Sequence, residues 1–266
     1  MEKLEVASNA VPLHTWSSSL YCKVYTMKIF DHFQNITLTK DQQNALEMLS
    51  IFLESDDRIF ILQGYAGSGK TTLLKGVIEH LKSDSKRFEV MAPTGRAAKI
   101  LRDRTGYGQT IHRTIYNFED LQTTQDKDNK DDHSFHFIFP IRESSSDDRV
   151  LIIDEASMIS SKEAKNEHFT FGTDILLNDL ITYSGVPKST NKIIFVGDPA
   201  QLPPVGENHS KVFIPEYWMS LGIKTQNSTL EEVMRQKRNT ILQNSNKLRS
   251  LIGNETRREL SLDYDD

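Results

Sequence analysis

Residues 64–71, GYAGSGKT, constrain the fold of this 266-residue chain more than any other segment. They fit the pattern G-x-x-x-x-G-K-[S/T], directly after an apolar run and directly before a helical pattern. Glycines let the backbone approach phosphate oxygens closely, and the amides at a helix N-terminus hold those oxygens. The segment predicts a phosphate-binding loop; a glycine-rich turn that carries a surface lysine is the alternative. The predicted nucleotide contacts are Gly64, Ala66, Gly67, Ser68, Gly69, Lys70, Thr71 and Thr72.

Four apolar runs predict the strands of a sheet. They are RIFILQG (58–64), FEVMAP (88–93), RVLIID (149–154) and KIIFVGD (192–198). Strands that are apolar throughout and alternate with helices are typical of a parallel sheet covered on both faces. The predicted fold class is therefore α/β: a P-loop NTPase domain with a mainly parallel β-sheet flanked by helices, plus a small insertion.

Two adjacent carboxylates, Asp154 and Glu155, follow the third predicted strand. A carboxylate at this position can hold Mg²⁺ together with the Thr71 hydroxyl, while its neighbour polarises a water for attack on the γ-phosphate. Lys70 would reach the β- and γ-phosphates. A charge pair at a helix N-terminus is the alternative for the carboxylates. Together with the phosphate loop, they predict Mg²⁺-dependent nucleotide hydrolysis.

The net charge and the cysteine content restrict the possible binding partners and the cellular compartment. The net charge of −5 and the pI near 5.9 give no general attraction for nucleic acid, so any DNA contact must come from a local groove. Cys22 is the only cysteine, which excludes an intramolecular disulfide and fits a reducing compartment. No apolar run approaches the roughly 20 residues that span a bilayer. We expect a cytoplasmic protein without a membrane segment.

Several further segments resemble one helicase family. In chain order they are LTKDQQNALEML, GYAGSGKTT, VMAPTGRAAKIL, TIHRTIY, VLIIDEASMIS, IIFVGDPAQLPPVG and LEEVMRQ. This series resembles the first motor half of superfamily 1B DNA helicases, the RecD-like and Dda-like group, from about residue 38 to residue 236. The resemblance implies a RecA-like domain that binds ATP and Mg²⁺ against a second such domain and moves 5′ to 3′ along single-stranded DNA, with RNA as an alternative track.

The resemblance assigns an ATP-binding role to Gln42 and catalytic roles to Gln201 and Arg235. Gln42 is similar to the glutamine that reads the adenine edge, although Thr39 and Gln42 also form a capping-box pattern. Gln201 resembles the γ-phosphate sensor, in a loop stiffened by prolines at 199, 203 and 204. Arg235 resembles the arginine supplied across the cleft, and an ordinary exposed arginine is the alternative.

The resemblance also assigns residues to DNA. Thr94, Gly95 and Arg96 match one DNA-contacting motif, and Thr110 and His112 match another. A strand-to-helix turn offers backbone amides and short polar side chains to a phosphate. A helix N-cap at Thr94 and a structural role for His112 are the alternatives.

Residues 119–148 interrupt the pattern of strands and helices. The acidic, aliphatic-poor stretch 119–133 predicts a solvated or disordered loop, and FHFIFP (135–140) predicts a strand. In the family an inserted hairpin splits the duplex, and Phe135, Phe137 and Phe139 are the candidates to stack on bases. Since alternate residues of a strand face the same side, a core-facing stripe is the alternative.

The predicted domains are an N-terminal extension (1–36), a RecA-like ATPase domain 1A (37–228) and the start of a truncated second motor domain (229–266). The insertion 119–148 is a candidate 1B-like element within domain 1A. Because only residues 236–266 follow Arg235, we expect the missing second motor domain in a longer protein, and no unwinding by this chain alone. The competing functions are an ATP- and single-strand-binding module without efficient turnover, and another P-loop NTPase such as a GTPase or a small-molecule kinase.

Overall fold

The computed structural model describes residues 28–125, 135–143, 148–186 and 188–232, together with Asn244. Within these ranges the chain forms a six-stranded sheet, a three-stranded sheet and flanking helices. The strands are β1 (Ile59–Gly64), β2 (Arg87–Ala92), β3 (Gln109–Thr110), β4 (Gln122–Gln125), β5 (Phe135–Phe139), β6 (Arg149–Ile153), β7 (Phe169–Phe171), β8 (Lys192–Gly197) and β9 (Thr225–Leu230). The α-helices are α1 (Lys40–Glu54), α2 (Lys70–Ser83), α3 (Gly95–Thr105), α4 (Ile111–Ile115), α5 (Leu176–Ser184) and α6 (Pro215–Ser220).

The large sheet has the order β3-β2-β6-β8-β1-β9, and every neighbouring pair is parallel. All residues of β6 and β8 are buried, which is why these strands read as continuous apolar runs. The predicted strands at 58–64, 88–93, 149–154 and 192–198 are confirmed to within one residue at each end. The observed sheet also confirms the predicted α/β fold class.

Alternate residues of the central strands divide the core into two layers. Phe60, Leu62, Ile152 and Ile194 contribute to the layer under α1, α2 and α3. Their neighbours along the same strands point to the other face, where the buried Trp218 and residues of α4 and α5 cover them. This period of two is what a β-strand imposes, so each central strand stabilises both layers.

Side chains cap the N-termini of α1, α3 and α4, whereas α2 has no capping side chain. Thr39 caps α1, and its capping box with Gln42 is complete. Thr94 caps α3 by accepting a hydrogen bond from the Ala97 amide. Gly69 occupies the N-cap of α2 and offers no side chain to the first amides of that helix. The N-terminus of α2 is therefore available to a ligand.

The small sheet joins residues on both sides of β6. β4 and β5 are antiparallel, and β5 pairs in parallel with β7. β4 lies inside the stretch 119–133, for which the sequence predicted a solvated loop; its two threonines are β-branched and pair with β5. β7 lies after β6, outside the predicted insertion, so this layer draws on more of the chain than residues 119–148.

Phe139 and Phe171 fix the small sheet to the main core. Their rings stack with centroids 4.8 Å apart, and Phe171 contacts His112 and Tyr116. Phe139 packs against the second core layer. At this end the phenylalanine stripe therefore faces the core, as the alternative interpretation stated. Phe137 stacks on the exposed Phe169 farther out.

Two further observations concern the predicted limit of the ATPase domain and the length of the helices. Strand β9 ends at Leu230, two residues beyond the predicted limit of the ATPase domain. Within the part of the chain that the structure describes, no helix is long and apolar enough to cross a membrane.

Candidate nucleotide-binding site

Three neighbouring strands place the site. In the order β6-β8-β1, the loop after β1 is the glycine-rich segment, the loop after β6 begins with Asp154, and the loop after β8 contains Gln201. Because the strands are parallel, all three loops leave the sheet at its carboxyl edge, where ligands of open α/β sheets bind. The three motifs, which are separate in the sequence, therefore meet at a single site.

A cleft of about 580 Å³ opens at this edge, a size typical of small-molecule sites. It is lined by residues from all three loops and from α1, α2 and α3. The residues that line it are Ile36, Gln42, Ala66, Gly67, Gly69, Lys70, Thr71, Thr72, Thr94, Arg96, Ala97, Ile100, Arg104, Asp154, Glu155, Met158 and Gln201. Seven of the nine predicted nucleotide contacts, Gln42 included, are in this set; Gly64 and Ser68 are buried and do not line the cleft.

The glycine-rich loop takes a shape that requires its glycines. Gly67 and Gly69 have φ angles of 85° and 88°, in the left-handed region that side chains disfavour. A Cβ at Gly69 would also lie 2.3 Å from Nε2 of Gln42. The loop thus turns its backbone towards the cleft, at the positive end of the 14-residue helix α2. These features fit a phosphate chain.

Lys70 reaches back across this loop. Its ammonium group donates hydrogen bonds to the carbonyl oxygens of Gly64 and Tyr65, at 2.6 and 3.0 Å. The ammonium group therefore lies over the loop, inside the cleft that the neighbouring glycines shape. A cation held there fits the phosphate role better than the role of a solvated surface lysine.

Gln42 performs the capping role and also contacts the phosphate loop. Its Oε1 accepts a hydrogen bond from the Thr39 amide, and its Nε2 donates one to the Ser68 carbonyl oxygen at 2.9 Å. The side chain is 2% exposed, so this bond is shielded from water. Gln42 thus ties α1 to the loop at the wall of the cleft, and the capping interpretation and the site interpretation both apply.

Asp154 is largely buried and lines the same cleft as Lys70. Burial and the neighbouring Glu155 raise its pKa to about 6, against the lowering influence of a hydrogen bond from the Glu155 amide and of Lys70 and Arg104. A carboxylate that is costly to ionise in the absence of a cation suits a divalent metal ligand. The chemistry of a hydroxyl and a carboxylate, Thr71 and Asp154 in one cleft, fits Mg²⁺.

Glu155 has a strained backbone. Its φ of 53° is in the left-handed region, where a non-glycine residue costs about 1–3 kcal/mol. It precedes a three-residue 3₁₀ helix, Ala156–Met158, and its side chain makes no capping hydrogen bond to that helix. The alternative of a helix-capping charge pair therefore explains this residue poorly. The strained turn instead directs Glu155 to the cleft lining.

The loop after β8 is fixed at both ends. The Ala200 amide donates to the Asp198 carboxylate, and the Gln201 amide donates to the Asp198 carbonyl oxygen. At the far end the Glu207 carboxylate accepts bonds from both hydroxyls of Ser160 and Ser161. These serines follow the carboxylate pair in sequence, so the loop that carries Gln201 is joined to the segment that carries Asp154 and Glu155.

The residues predicted to contact DNA separate into two places. Thr94 and Arg96 line the same cleft as the phosphate loop, and Gly95 between them has open space around its Cβ position. Thr110 and His112 do not line this cleft. Thr110 caps α4 by accepting from the Arg113 amide, and His112 packs edge-on against Phe171 at 5.3 Å. Burial lowers the pKa of His112.

Sequence reasoning missed five of the cleft residues, and Arg235 lies outside the described residues. Ala97, Ile100 and Arg104 follow one another at steps of three and four, which is the spacing of one helix face. That spacing was a usable signal once α3 was placed beside the phosphate loop. The five residues are Ile36, Ala97, Ile100, Arg104 and Met158.

Comparisons with known proteins agree with this architecture. A family described as an AAA domain matches residues 37–169, half of the chain. The RecBCD enzyme subunit RecD of Buchnera aphidicola subsp. Schizaphis graminum is 31% identical over 206 residues, 74% of this chain and 31% of that protein. The ATP-dependent DNA helicase dda of Enterobacteria phage T4 is 29% identical over 185 residues, 68% of this chain and 36% of that protein.

A solved structure supports the fold. The crystal structure of Pif1 helicase from Candida albicans matches with a TM-score of 0.50 and 24% identity, over 81% of this chain and 44% of that chain. The present chain spans about a third of the length of the two curated relatives. The family match and the shared motifs confirm the resemblance drawn from the sequence. The chain belongs to the AAA domain family, and its motifs are similar to those of the RecD and dda proteins.

Proposed function

We propose that this chain is an ATP-binding and ATP-hydrolysing motor domain that acts on single-stranded DNA. The observation that carries the proposal is the convergence of Lys70, Thr71, Asp154, Glu155 and Gln201 at one cleft, from the ends of three adjacent parallel strands. Phosphoryl transfer depends mainly on positioning and on charge stabilisation, and these side chains supply both.

Each side chain has a definite task in this proposal. The amides at the start of α2 and the Lys70 ammonium bind the phosphate chain. Thr71 and Asp154 would hold Mg²⁺, which would supply neutralisation of phosphate charge. Glu155 orients the attacking water and accepts its proton. Gln201, on a loop fixed at both ends, responds to the terminal phosphate.

Gln42 is the proposed adenine contact. An amide is the side chain that can donate to and accept from the N6 and N7 edge of adenine. Gln42 already uses Oε1 and Nε2 to hold Thr39 and Ser68, and each of these atoms retains further hydrogen-bonding capacity. A base bound to Gln42 would therefore be connected to the phosphate loop through the hydrogen bond from Gln42 to Ser68.

The track of the motor is the second part of the proposal. The phage T4 relative is an ATP-dependent DNA helicase by name. The DNA contacts assigned to this chain are Thr94, Gly95, Arg96, Thr110 and His112. Helix α3 carries four basic residues and one acidic residue in an otherwise acidic chain, which offers the local positive surface that phosphates need. Arg235 and a second motor domain would complete the ATP site from the other side.

Hydrolysis measurements test this proposal. We expect ATP turnover that oligonucleotide raises, that exceeds GTP turnover, and that falls at least about 100-fold in Lys70→Ala and in Glu155→Gln. Lys70→Ala should lose ATP affinity as well, whereas Glu155→Gln should retain it. A preference for GTP would exclude the helicase assignment. Tight ATP binding without turnover by the unaltered chain would instead identify a binding module.

A further inference from the structure

Arg104 is a cation of the cleft that no motif assigns. It lies at the end of α3 and lines the cleft together with Lys70, Asp154 and Glu155. Among the described residues it has neither an ion-pair nor a hydrogen-bond partner. A guanidinium carries five donors in a planar fork that matches phosphate oxygens, so an arginine without a protein partner is available to a phosphate.

The geometry of α3 explains why Arg104 faces the cleft. At about 100° per residue, a seven-residue step places Ala97 and Arg104 within roughly 20° of each other on the helix. Both line the cleft, and Ile100 lies between them on the same face. Arg102 lies about 160° from Arg104 on the helix and is not among the lining residues.

The charge of Arg104 acts at the carboxylate end of the cleft. Arg104 lines the cleft together with Asp154 and Glu155, and its positive charge lowers the pKa of Asp154. The two groups are nevertheless not an ion pair, because no nitrogen of Arg104 lies within 4.0 Å of the Asp154 carboxylate. The guanidinium is thus close to the carboxylates and still able to accept another anion.

The lining of the cleft is suited to a highly charged anion. Three cationic side chains, Lys70, Arg96 and Arg104, stand against the two carboxylates Asp154 and Glu155. Lys70 lies over the phosphate loop, where the inner phosphates belong, and the carboxylates mark the end where the terminal phosphate and the attacking water belong. Arg104 lines the cleft together with these two carboxylates.

We propose that Arg104 is a substrate-binding residue of the ATP site, supplied by the same domain, that contacts the terminal phosphate of bound ATP. This inference rests on the proposed ATPase function and adds a residue to it. ADP lacks the terminal phosphate, so Arg104 distinguishes ATP from ADP and strengthens binding of the substrate over the product.

Equilibrium binding of ATP and ADP, with Mg²⁺ and without DNA, tests the inference on the full chain. We expect Arg104→Gln to weaken ATP binding about 10-fold, the effect of one charge-assisted hydrogen bond, and to change ADP binding less than about 2-fold. Arg104→Lys should lie between, because it keeps the charge and loses the fork. Arg102→Gln removes the same charge from the same helix on the other face and should leave both affinities unchanged.

Each outcome has a distinct meaning. Equal weakening of ATP and ADP, or no change in either, in Arg104→Gln would overturn the contact with the terminal phosphate while leaving the ATPase proposal intact. No ATP binding by the unaltered chain would overturn both. Glutamine and lysine are good helix formers at this exposed position, so the variants should fold, and their unfolding midpoints verify this.

Discussion

Two neighbouring residues, Asp154 and Glu155, are each in an energetically unfavourable state. Asp154 is a mostly buried carboxylate with a raised pKa, and Glu155 has a left-handed backbone. Such features persist where the surrounding structure enforces them, and they concentrate at functional sites. Here β6 and its neighbours supply the enforcement, since every residue of β6 is buried. The strain is therefore part of how the carboxylates are directed into the cleft.

The raised pKa of Asp154 predicts a pH-dependent gain in stability for Asp154→Asn. The folded-state pKa, about 6, lies above the value of 3.8 for an ordinary aspartate. Ionised Asp154 therefore costs stability above pH 6, and this cost disappears as the pH falls towards 4. In the absence of Mg²⁺ and nucleotide, Asp154→Asn should raise the free energy of unfolding at pH 7.5 by on the order of 2 kcal/mol.

Urea unfolding at several pH values, with a metal chelator present, measures this effect. The stability gain of Asp154→Asn should shrink between pH 6 and pH 4. The asparagine Oδ1 can keep the bond from the Glu155 amide, so the comparison isolates the charge. A variant that is less stable than the unaltered chain at pH 7.5 would contradict the prediction.

At the scale of elements, α2 connects the site to the N-terminal segment. The Phe33 ring lies over Gly76, and a Cβ at Gly76 would be 1.9 Å from its Cζ atom. Phe33 is 4% exposed and belongs to the core layer under α1, α2 and α3. Gly76 is therefore required by a ring from another element and not by the helix, which would otherwise prefer alanine.

A double-mutant cycle tests this packing. Gly76→Ala should destabilise the unaltered chain by about 1–3 kcal/mol because it overpacks the core. In a Phe33→Ala background the same substitution should stabilise by about 0.5–1 kcal/mol, the gain in helix propensity. Free energies of unfolding give the four values. An equal effect of Gly76→Ala in both backgrounds would show that the ring does not decide the role of the glycine.

The strands show which elements could be predicted from sequence patterns and which could not. The four central strands of the large sheet were predictable because most of their residues are apolar on both faces. β9, TQNSTL, was not predicted: it is an edge strand that pairs only with β1, so its sequence needs no apolar run. β3 has two residues, too few to show a period. The phosphate loop and carboxylates were predictable from motifs, whereas Arg104 required knowledge of which face of α3 meets the cleft.

For the whole molecule, sheet order turns separated motifs into one site. Residues 64–71, 154–155 and 201 are far apart in sequence, and the order β6-β8-β1 brings the three loops together. The chain is acidic overall, yet three cationic side chains line this cleft. Ligand binding at this edge contacts α1, α2, α3 and three strand ends together. A nucleotide that binds there should stabilise the fold as a unit.

Thermal unfolding of the chain with and without Mg²⁺ and ATP tests the central claim, that this cleft is a nucleotide site. At an ATP concentration about 100 times the dissociation constant, the account predicts a rise of about 5 °C or more in the unfolding midpoint. The rise should be lost in Lys70→Ala and kept in Lys75→Ala, which removes an exposed lysine of the same helix outside the cleft. An unchanged midpoint in the unaltered chain, or an equal rise in Lys70→Ala, would contradict the account.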